Sequence, residues 1–258
     1  MPKFSANLSM LFGEHDFLAR FDAAARAGFK GVEYVGPYAF PKEQVAAALH
    51  RNGLKQVLFN LPAGNWEKGD RGIACQPDRA GEFQDSVGKA IDYAKALDCK
   101  LVNCLAGILP AGVARDKGLD TMAANLAFAA KALKAAGIQL IIEPINFYDI
   151  PGFLLNTSKD GIAMIDRVRS DNLKLQYDIY HMQRMEGEIA ATLSKLMPRI
   201  GHIQIADNPG RNEPGTGELN YPFLFRHIEA LGYTGRIGAE YKPKAGTVDG
   251  LGWMKTLV

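Results

Sequence analysis

The chain has 258 residues, of which 47% are hydrophobic, and its formal net charge at pH 7 is +2. This composition supports a large buried core, and the near-neutral charge does not indicate nucleic acid or an anionic membrane as a partner. No apolar run is long enough to span a bilayer. The three cysteines show no C-x-x-C spacing, so we expect reduced thiols in a cytoplasmic protein.

Strands and helices are predicted to alternate regularly along the chain. Apolar, β-branched runs predict eight strands, at 4–10, 31–35, 54–60, 100–107, 138–146, 173–178, 200–207 and 236–243. Segments with helical periodicity follow them, at 17–28, 41–53, 79–97, 117–136, 158–169, 186–197, 221–232 and 247–256. The connection at 61–78 is the longest without clear periodicity, and loops of that length are often functional.

This order predicts an α/β protein with a single (β/α)8 TIM barrel, folded as one domain over 1–258. The alternative is a doubly wound sheet. No G-x-G-x-x-G turn follows the first strand, and the strand–helix order continues to the end of the sequence, so the barrel is preferred. In such a barrel, alternate strand residues face inward and catalytic groups lie at the C-terminal strand ends.

Four strands carry a polar residue near their C-terminal ends: Glu143, Asp178, Gln204 and Glu240. Alternation points all four inward, and it points Lys242 inward as well, whereas His202 is expected to lie deeper and to be structural. Three carboxylates and one amide oxygen suit a hard divalent cation, Mg²⁺ or Mn²⁺. The alternative is that each residue is a separately satisfied polar group of the barrel interior.

The chain resembles the hydroxypyruvate isomerase family, within the xylose-isomerase-like TIM barrel superfamily. The resemblance covers essentially the whole chain. The segments that carry it are FSANLSMLFGE (4–14), NLPAG (60–64), RGIAC (71–75), NCLAG (103–107), IEPIN (142–146), QYDIYHMQRMEGE (176–188), HIQIADNPGRNEPGTGE (202–218) and EYKP (240–243).

The resemblance implies a metal and two opposed glutamates, as in related ketose epimerases and sugar isomerases. Glu143 and Glu240 match those glutamates, and Asp178 and Gln204 match the remaining metal ligands. Gln204 departs from the histidine of many relatives, and an amide oxygen is a weaker, neutral ligand. His181 and Arg211 match the residues that bind substrate oxygens.

The implied reaction converts hydroxypyruvate to tartronate semialdehyde through an enediolate, with the glutamates as proton donor and acceptor. Arg211 is the first choice to bind the substrate carboxylate, since a guanidinium can bind two oxygens at once. Arg71 and Lys242 are further candidates, and Asn60 is expected to orient a substrate oxygen. A homo-oligomer is compatible with the sequence.

Several alternatives stay open. An isomerase of four-carbon 2-oxo acids, such as 2-oxo-tetronate, would use the same residues. An epimerase or dehydratase of a ring polyol is a second enzymatic alternative. Phosphodiester hydrolysis is disfavoured, because the chain has five histidines and a net charge of +2 and that chemistry favours a histidine-rich multi-metal site and a basic face. A non-catalytic barrel that binds a carbohydrate acid is the alternative of another class.

Overall fold

The computed structural model describes residues 2–258 and shows eight parallel strands closed into a barrel in the order β1 to β8. The strands are β1 Lys3–Asn7, β2 Gly31–Tyr34, β3 Lys55–Asn60, β4 Leu101–Cys104, β5 Gln139–Ile142, β6 Leu173–Asp178, β7 Ile200–Ile205 and β8 Arg236–Ala239. Each strand pairs with the next, and β8 closes the barrel against β1 with Ser5 opposite Gly238. The predicted (β/α)8 barrel is confirmed.

Helices surround the strands. They are α1 Phe17–Arg26, α2 Lys42–Arg51, α3 Ala80–Ala96, α4 Arg115–Ala135, α5 Ser158–Val168, α6 Ile179–Met185, α7 Ile189–Leu196, α8 Tyr221–Ala230, α9 Thr247–Gly250 and α10 Trp253–Thr256. The predicted helix at 247–256 is divided into two short helices, and α6 was not predicted. Among residues 2–258, none of the helices combines the length and the apolar character that crossing a membrane requires.

The main core lies between the barrel and the helices. In α4, Leu126, Ala129 and Leu133 recur at helical spacing and are completely buried. On the barrel side, Val102 and Leu140 are also inaccessible to solvent. Truncating a leucine such as Leu133 to alanine is expected to destabilise the fold by about 3 kcal/mol, because it loses apolar burial and leaves a cavity.

The loop after β7 is organised by the carboxylate of Asp207. Its Oδ2 accepts hydrogen bonds from the backbone N–H groups of Gly215 and Gly217 at 2.8 and 2.9 Å. Position 217 requires glycine, because a Cβ atom there would lie 2.0 Å from the carbonyl oxygen of Asn208. This turn holds the loop segment that carries Arg211.

Candidate active site

Four ionisable side chains meet at the C-terminal end of the barrel. Glu143 follows β5, Asp178 ends β6 and Glu240 follows β8. His181 lies in α6. One oxygen or nitrogen atom of each lies within 4.8 Å of those of the other three. Glu240 is half-buried and the other three are buried. The structure therefore brings together three predicted strand-end residues and one predicted substrate-binding residue.

Asp178 both ends β6 and caps α6, the helix that the sequence analysis missed. Its Oδ1 accepts hydrogen bonds from the backbone N–H groups of Tyr180 at 2.8 Å and His181 at 3.4 Å. An aspartate at this position satisfies donors that the first helical turn leaves unpaired. The helix directs His181 into the site, where its Nε2 lies 3.6 Å from Asp178 Oδ2 and 3.9 Å from Glu143 Oε1.

Glu143 has a sparse set of hydrogen bonds. Asn103 Nδ2 donates to Glu143 Oε2 at 3.3 Å and to Asn60 Oδ1 at 3.2 Å. Glu143 Oε1 and Asp178 Oδ2 are buried and have no hydrogen-bond partner among residues 2–258; we call these two atoms the open oxygens. Burial, reinforced by the charges of Glu240 and Asp178, raises the pKa of Glu143 well above its ordinary value.

Glu240 accepts more hydrogen bonds from neighbouring side chains than Glu143 does. Asn7 Nδ2 donates to its Oε1 at 2.9 Å, and Arg211 Nη2 donates to its Oε2 at 2.8 Å. Burial raises the pKa of Glu240 to about 7, although the charge of Arg211 opposes that shift. Burial also raises the pKa of Asp178 to about 6. Glu143 and Glu240 therefore face the same space with different proton affinities, an arrangement typical of acid–base sites.

Arg211 is held in a strained backbone conformation at the rim of the site. Its φ angle is +56°, which is uncommon for a residue with a Cβ atom and is often found at functional sites. Besides Glu240, it contacts Asp149, whose Oδ2 accepts from Arg211 Nη1 at 3.3 Å. Arg184 Nη1 donates to the other oxygen of Asp149 at 3.0 Å. Asp149 was not found from the sequence, because it lies in a loop without periodicity.

His181 is neutral in this environment. Burial lowers its pKa well below the ordinary value for histidine, and the charges of Arg211 and Arg184 lower it further. A neutral imidazole carries one hydrogen and one lone pair on its two ring nitrogens. It can therefore donate a hydrogen bond to a substrate oxygen while its other nitrogen accepts one from the protein.

A second polar layer lies below the cluster, around Glu33 of β2. Ser5 Oγ donates to Glu33 Oε2 at 2.8 Å, His202 Nε2 lies 2.9 Å from the same oxygen, and Gln204 Nε2 donates to Oε1 at 2.7 Å. Burial acts to raise the pKa of Glu33, but the charge and hydrogen bond of His202 and the other donors outweigh it, so the pKa is lowered. A Cβ atom at Gly238 would lie 2.2 Å from Glu33 Oε1, so glycine on β8 makes room for this carboxylate.

Glu33 is the main polar residue that the sequence analysis missed. Its signal was present, since an acid interrupts the apolar run of β2. His202 lies in this layer, as predicted. Gln204 also belongs to it: its Oε1 accepts from Gln176 Nε2 at 2.5 Å, while its Nε2 is bonded to Glu33. Both ends of the amide are therefore engaged, and the ligand role of Gln204 stays a prediction.

The remaining predicted substrate-binding residues divide into three cases. Asn60 is buried and reaches Glu143 only through Asn103. Arg71 donates to the backbone carbonyl of Trp66 at 3.0 Å and lies 4.0 Å from its ring centroid, so it braces the 61–78 loop. Lys242 lies beyond the end of β8 at Ala239, so the alternation within the strand does not fix its direction, and its substrate-binding role stays a prediction. Lys242 is exposed.

The open oxygens fit a divalent cation. They are buried carboxylate oxygens of Glu143 and Asp178, they lie within one cluster with Glu240, and unpaired buried charge is costly. A hard cation such as Mg²⁺ or Mn²⁺ prefers such oxygen ligands and would offset their charge. The raised pKa values of the three carboxylates have the same main cause, which is burial away from water, and the negative charges of neighbouring acids add to it.

An eight-stranded parallel barrel whose carboxylates converge at the C-terminal strand ends defines an enzyme of the TIM-barrel class. A family profile described as xylose isomerase-like TIM barrel matches residues 21–257. The chain belongs to this family.

Relatives narrow the class further. The hydroxypyruvate isomerase of Escherichia coli (strain K12) is 54% identical over 98% of this chain and 98% of its own length. The 2-oxo-tetronate isomerase of Cupriavidus necator is 48% identical over 99% of this chain and 98% of its own. A solved structure from Brucella melitensis described as an AP endonuclease, family 2, is 41% identical with a TM-score of 0.97 and covers 99% of each chain. The predicted resemblance is confirmed, and the protein is an isomerase.

Proposed function

We propose that the protein interconverts hydroxypyruvate and tartronate semialdehyde by moving a proton between neighbouring carbons. The observation that carries the proposal is the pair of glutamates with unequal surroundings, Glu143 with an open oxygen and Glu240 with donors on both oxygens. The 54% identical hydroxypyruvate isomerase of Escherichia coli supports the three-carbon substrate.

Glu240 is the better base of the two. Hydrogen bonds from Asn7 and Arg211 stabilise its ionised form, and its pKa of about 7 lies near a working pH of 7. It removes a proton from the hydroxymethyl carbon of hydroxypyruvate, which leaves an enediolate. Glu143, whose pKa is raised well above its ordinary value, holds a proton that it delivers to the former carbonyl carbon, while the proton of the hydroxymethyl oxygen passes to the former carbonyl oxygen, which gives the aldehyde and the new hydroxyl group. The reverse reaction exchanges these roles.

Negative charge that develops on the enediolate oxygens needs donors that are already in place. His181 and Arg211 supply them, since both face the cluster and His181 Nε2 lies 3.6 Å from an open oxygen. The Arg211 guanidinium also suits the substrate carboxylate, since it can bind two oxygens at once. Asp149, which accepts hydrogen bonds from Arg211 and Arg184, holds the guanidinium in position.

A divalent cation, Mg²⁺ or Mn²⁺, would be held by Glu143, Asp178 and Glu240, with Gln204 as the predicted fourth ligand. When bound, it supplies Lewis-acid stabilisation of negative charge on substrate oxygens. The open oxygens of Glu143 and Asp178 support this assignment. We also propose that the enzyme is cytoplasmic, which is supported by three buried, free cysteines.

The test is tartronate semialdehyde formation from hydroxypyruvate by wild type and Glu143→Gln, each with EDTA and after addition of Mg²⁺ or Mn²⁺. We expect wild type to be active and the variant to lose about 1,000-fold in kcat, because a general acid–base residue contributes on that order. EDTA should lower the wild-type rate and either cation should restore it. A wild type that stays inactive with every cation would overturn the three-carbon assignment.

The candidate closest to this reaction is isomerisation of 2-oxo-tetronate, favoured by the 48% identical relative from Cupriavidus necator. The chemistry is the same, and only the length of the substrate differs. Measuring kcat/KM on both substrates with one enzyme preparation separates the two. A four-carbon substrate preferred by more than about tenfold, which corresponds to about 1.4 kcal/mol in the transition state, would replace hydroxypyruvate as the assigned substrate.

DNA cleavage is the candidate of another class, because the similar Brucella melitensis structure is described as an endonuclease. Incubating the protein with DNA that contains an abasic site, in the presence of Mg²⁺, Mn²⁺ or Zn²⁺, tests it directly. We expect intact DNA, since the carboxylate cluster with a neutral histidine supports proton transfer. Cleavage that Glu143→Gln abolishes would overturn the isomerase proposal for this site.

A further inference from the structure

Asn146 lies behind His181, on the side of the ring that faces away from the carboxylates. Its Nδ2 is 2.6 Å from His181 Nδ1, and both residues are buried, with at most 1% of their surface exposed. Asn146 follows Glu143 by three residues in the β5–α5 loop. Its contact with His181 determines which ring nitrogen carries the hydrogen.

The orientation of the Asn146 amide follows from a backbone donor. Its Oδ1 accepts a hydrogen bond from the N–H of Asp149 at 2.9 Å. A flipped amide would set its NH₂ group against that N–H, with two donors facing each other. The Nδ2 group, which can only donate, is therefore the atom that faces His181, and His181 Nδ1 must be a bare nitrogen that accepts.

A second donor near the ring does not change this assignment. Arg211 Nη2 lies 3.4 Å from His181 Nε2, which is longer than the usual range for an N–H donor and its acceptor, whereas its contact with Glu240 Oε2 is 2.8 Å. A neutral imidazole has a single lone pair available for hydrogen bonding. The contact from Asn146, at 2.6 Å, is shorter than the contact from Arg211, at 3.4 Å, so Asn146 is the donor assigned to that lone pair.

We infer that Asn146 is a positioning residue that leaves His181 Nδ1 without a hydrogen and places the ring hydrogen on Nε2, so that His181 serves as a hydrogen-bond donor to the substrate and not as a metal ligand. An imidazole that binds a metal through Nε2 must carry its hydrogen on Nδ1, where it usually donates to a carboxylate or carbonyl. Here Nδ1 faces a donor instead. His181 Nε2 lies 3.9 Å from Glu143 Oε1 and 3.6 Å from Asp178 Oδ2, and both distances are too long for hydrogen bonds.

A substrate oxygen within hydrogen-bond distance of His181 Nε2 would receive this hydrogen bond. The inference rests on the proposed isomerase function for its consequence in catalysis, but the tautomer itself does not depend on any substrate. The position of the His181 hydrogen separates the four clustered residues into two groups. The three carboxylates suit a cation, and the imidazole suits the substrate oxygen on which negative charge develops.

The test is ¹⁵N–¹H correlation NMR of the histidine rings at pH 7, with EDTA and with Mg²⁺, using His181→Gln to assign the signals. In wild type we expect His181 with hydrogen on Nε2 and a bare Nδ1 under both conditions. Hydrogen on Nδ1, an imidazolium, or loss of the Nε2 hydrogen when Mg²⁺ is added would each overturn the inference. This measurement uses the wild-type protein without substrate, so inactivity toward hydroxypyruvate would refute the proposed function and leave the tautomer assignment intact.

Asn146→Asp is the informative variant. It keeps the oxygen that accepts from Asp149 and replaces only the donor that faces His181 with an acceptor. We expect the His181 hydrogen to move to Nδ1 and kcat to fall about 100-fold with KM changed little, the order of effect seen when one donor to a developing oxyanion is removed. Asn52→Asp, which makes the same chemical change at the end of α2, is the matched control and should alter neither the His181 signals nor kcat.

An unchanged tautomer in folded Asn146→Asp, or a changed tautomer without loss of kcat, would contradict the positioning role. If this variant does not fold, the wild-type spectrum alone still decides whether His181 carries its hydrogen on Nε2.

Discussion

Two glutamates inside the barrel, Glu33 and Glu143, show how the same buried side chain can serve different purposes. Both are at most 5% exposed. Glu33 accepts hydrogen bonds from Ser5 and Gln204 and contacts His202, and its pKa is lowered. Glu143 has one open oxygen, and its pKa is raised well above the ordinary value. A carboxylate whose oxygens are both hydrogen-bonded stabilises the barrel, whereas one with an open oxygen can bind a cation or a proton.

The largest effect on activity is expected at Glu143. Glu143→Gln should lower kcat by about 1,000-fold and yet make the protein more stable at pH 8. Because the folded-state pKa is raised, ionisation of Glu143 costs stability as pH rises above its unfolded pKa. Chemical denaturation at pH 5 and pH 8 measures this, and equal stability of variant and wild type at pH 8 would contradict it.

The same substitution at Glu33 should act in the opposite direction. Glu33→Gln is expected to destabilise the protein by about 3 kcal/mol at pH 7, because it breaks a buried charged network with His202. The folded-state pKa of Glu33 is lowered, so its stabilisation is present above its unfolded pKa and is lost as pH falls through the folded value. The difference from wild type should therefore shrink in acid. If Glu33→Gln were as stable as wild type, the hydrogen bonds around Glu33 would not stabilise the barrel, and the contrast with Glu143 would fail.

Substituting Arg211 tests whether its contact with Glu240 distinguishes that glutamate from Glu143. Arg211→Met removes a donor and a positive charge that lower the pKa of Glu240. If ionised Glu240 is the base, activity rises with pH through its pKa, so the midpoint in the variant should move to higher pH and kcat/KM should fall about 100-fold at pH 7. Arg184→Met is the matched control, since Arg184 donates to Asp149, and it should leave the midpoint unchanged. A midpoint that moves to lower pH in Arg211→Met would exclude this role.

The smallest effect is expected at Lys242. This side chain is exposed, and surface substitutions usually change little. Lys242→Ala should therefore keep kcat/KM within about twofold of wild type, since such substitutions stay within about 0.5 kcal/mol. Steady-state kinetics with hydroxypyruvate provide the measurement. A loss of tenfold or more would support the predicted substrate-binding role of Lys242.

Much of the site could be predicted because strand ends leave a periodic signal. Glu143, Asp178 and Glu240 each interrupt or follow an apolar run, and a parallel barrel brings such ends to one face. The residues that orient them gave no such signal. Asp149 and Asn146 lie in a loop, and their contacts with Arg211 and His181 depend on the path of that loop across the barrel mouth.

The sequence by itself determined the barrel, the face on which the acids meet and the family, because these follow from period two, strand order and recognisable segments. Only the tertiary structure decided which buried acids have hydrogen-bond partners on both oxygens. Glu33 and Gln204 lie on different strands, 171 residues apart, and are joined by a 2.7 Å hydrogen bond. Such pairings depend on the stagger of the strands and on space left by residues such as Gly238. Side-chain spacing along one strand carries no information about partners across the barrel.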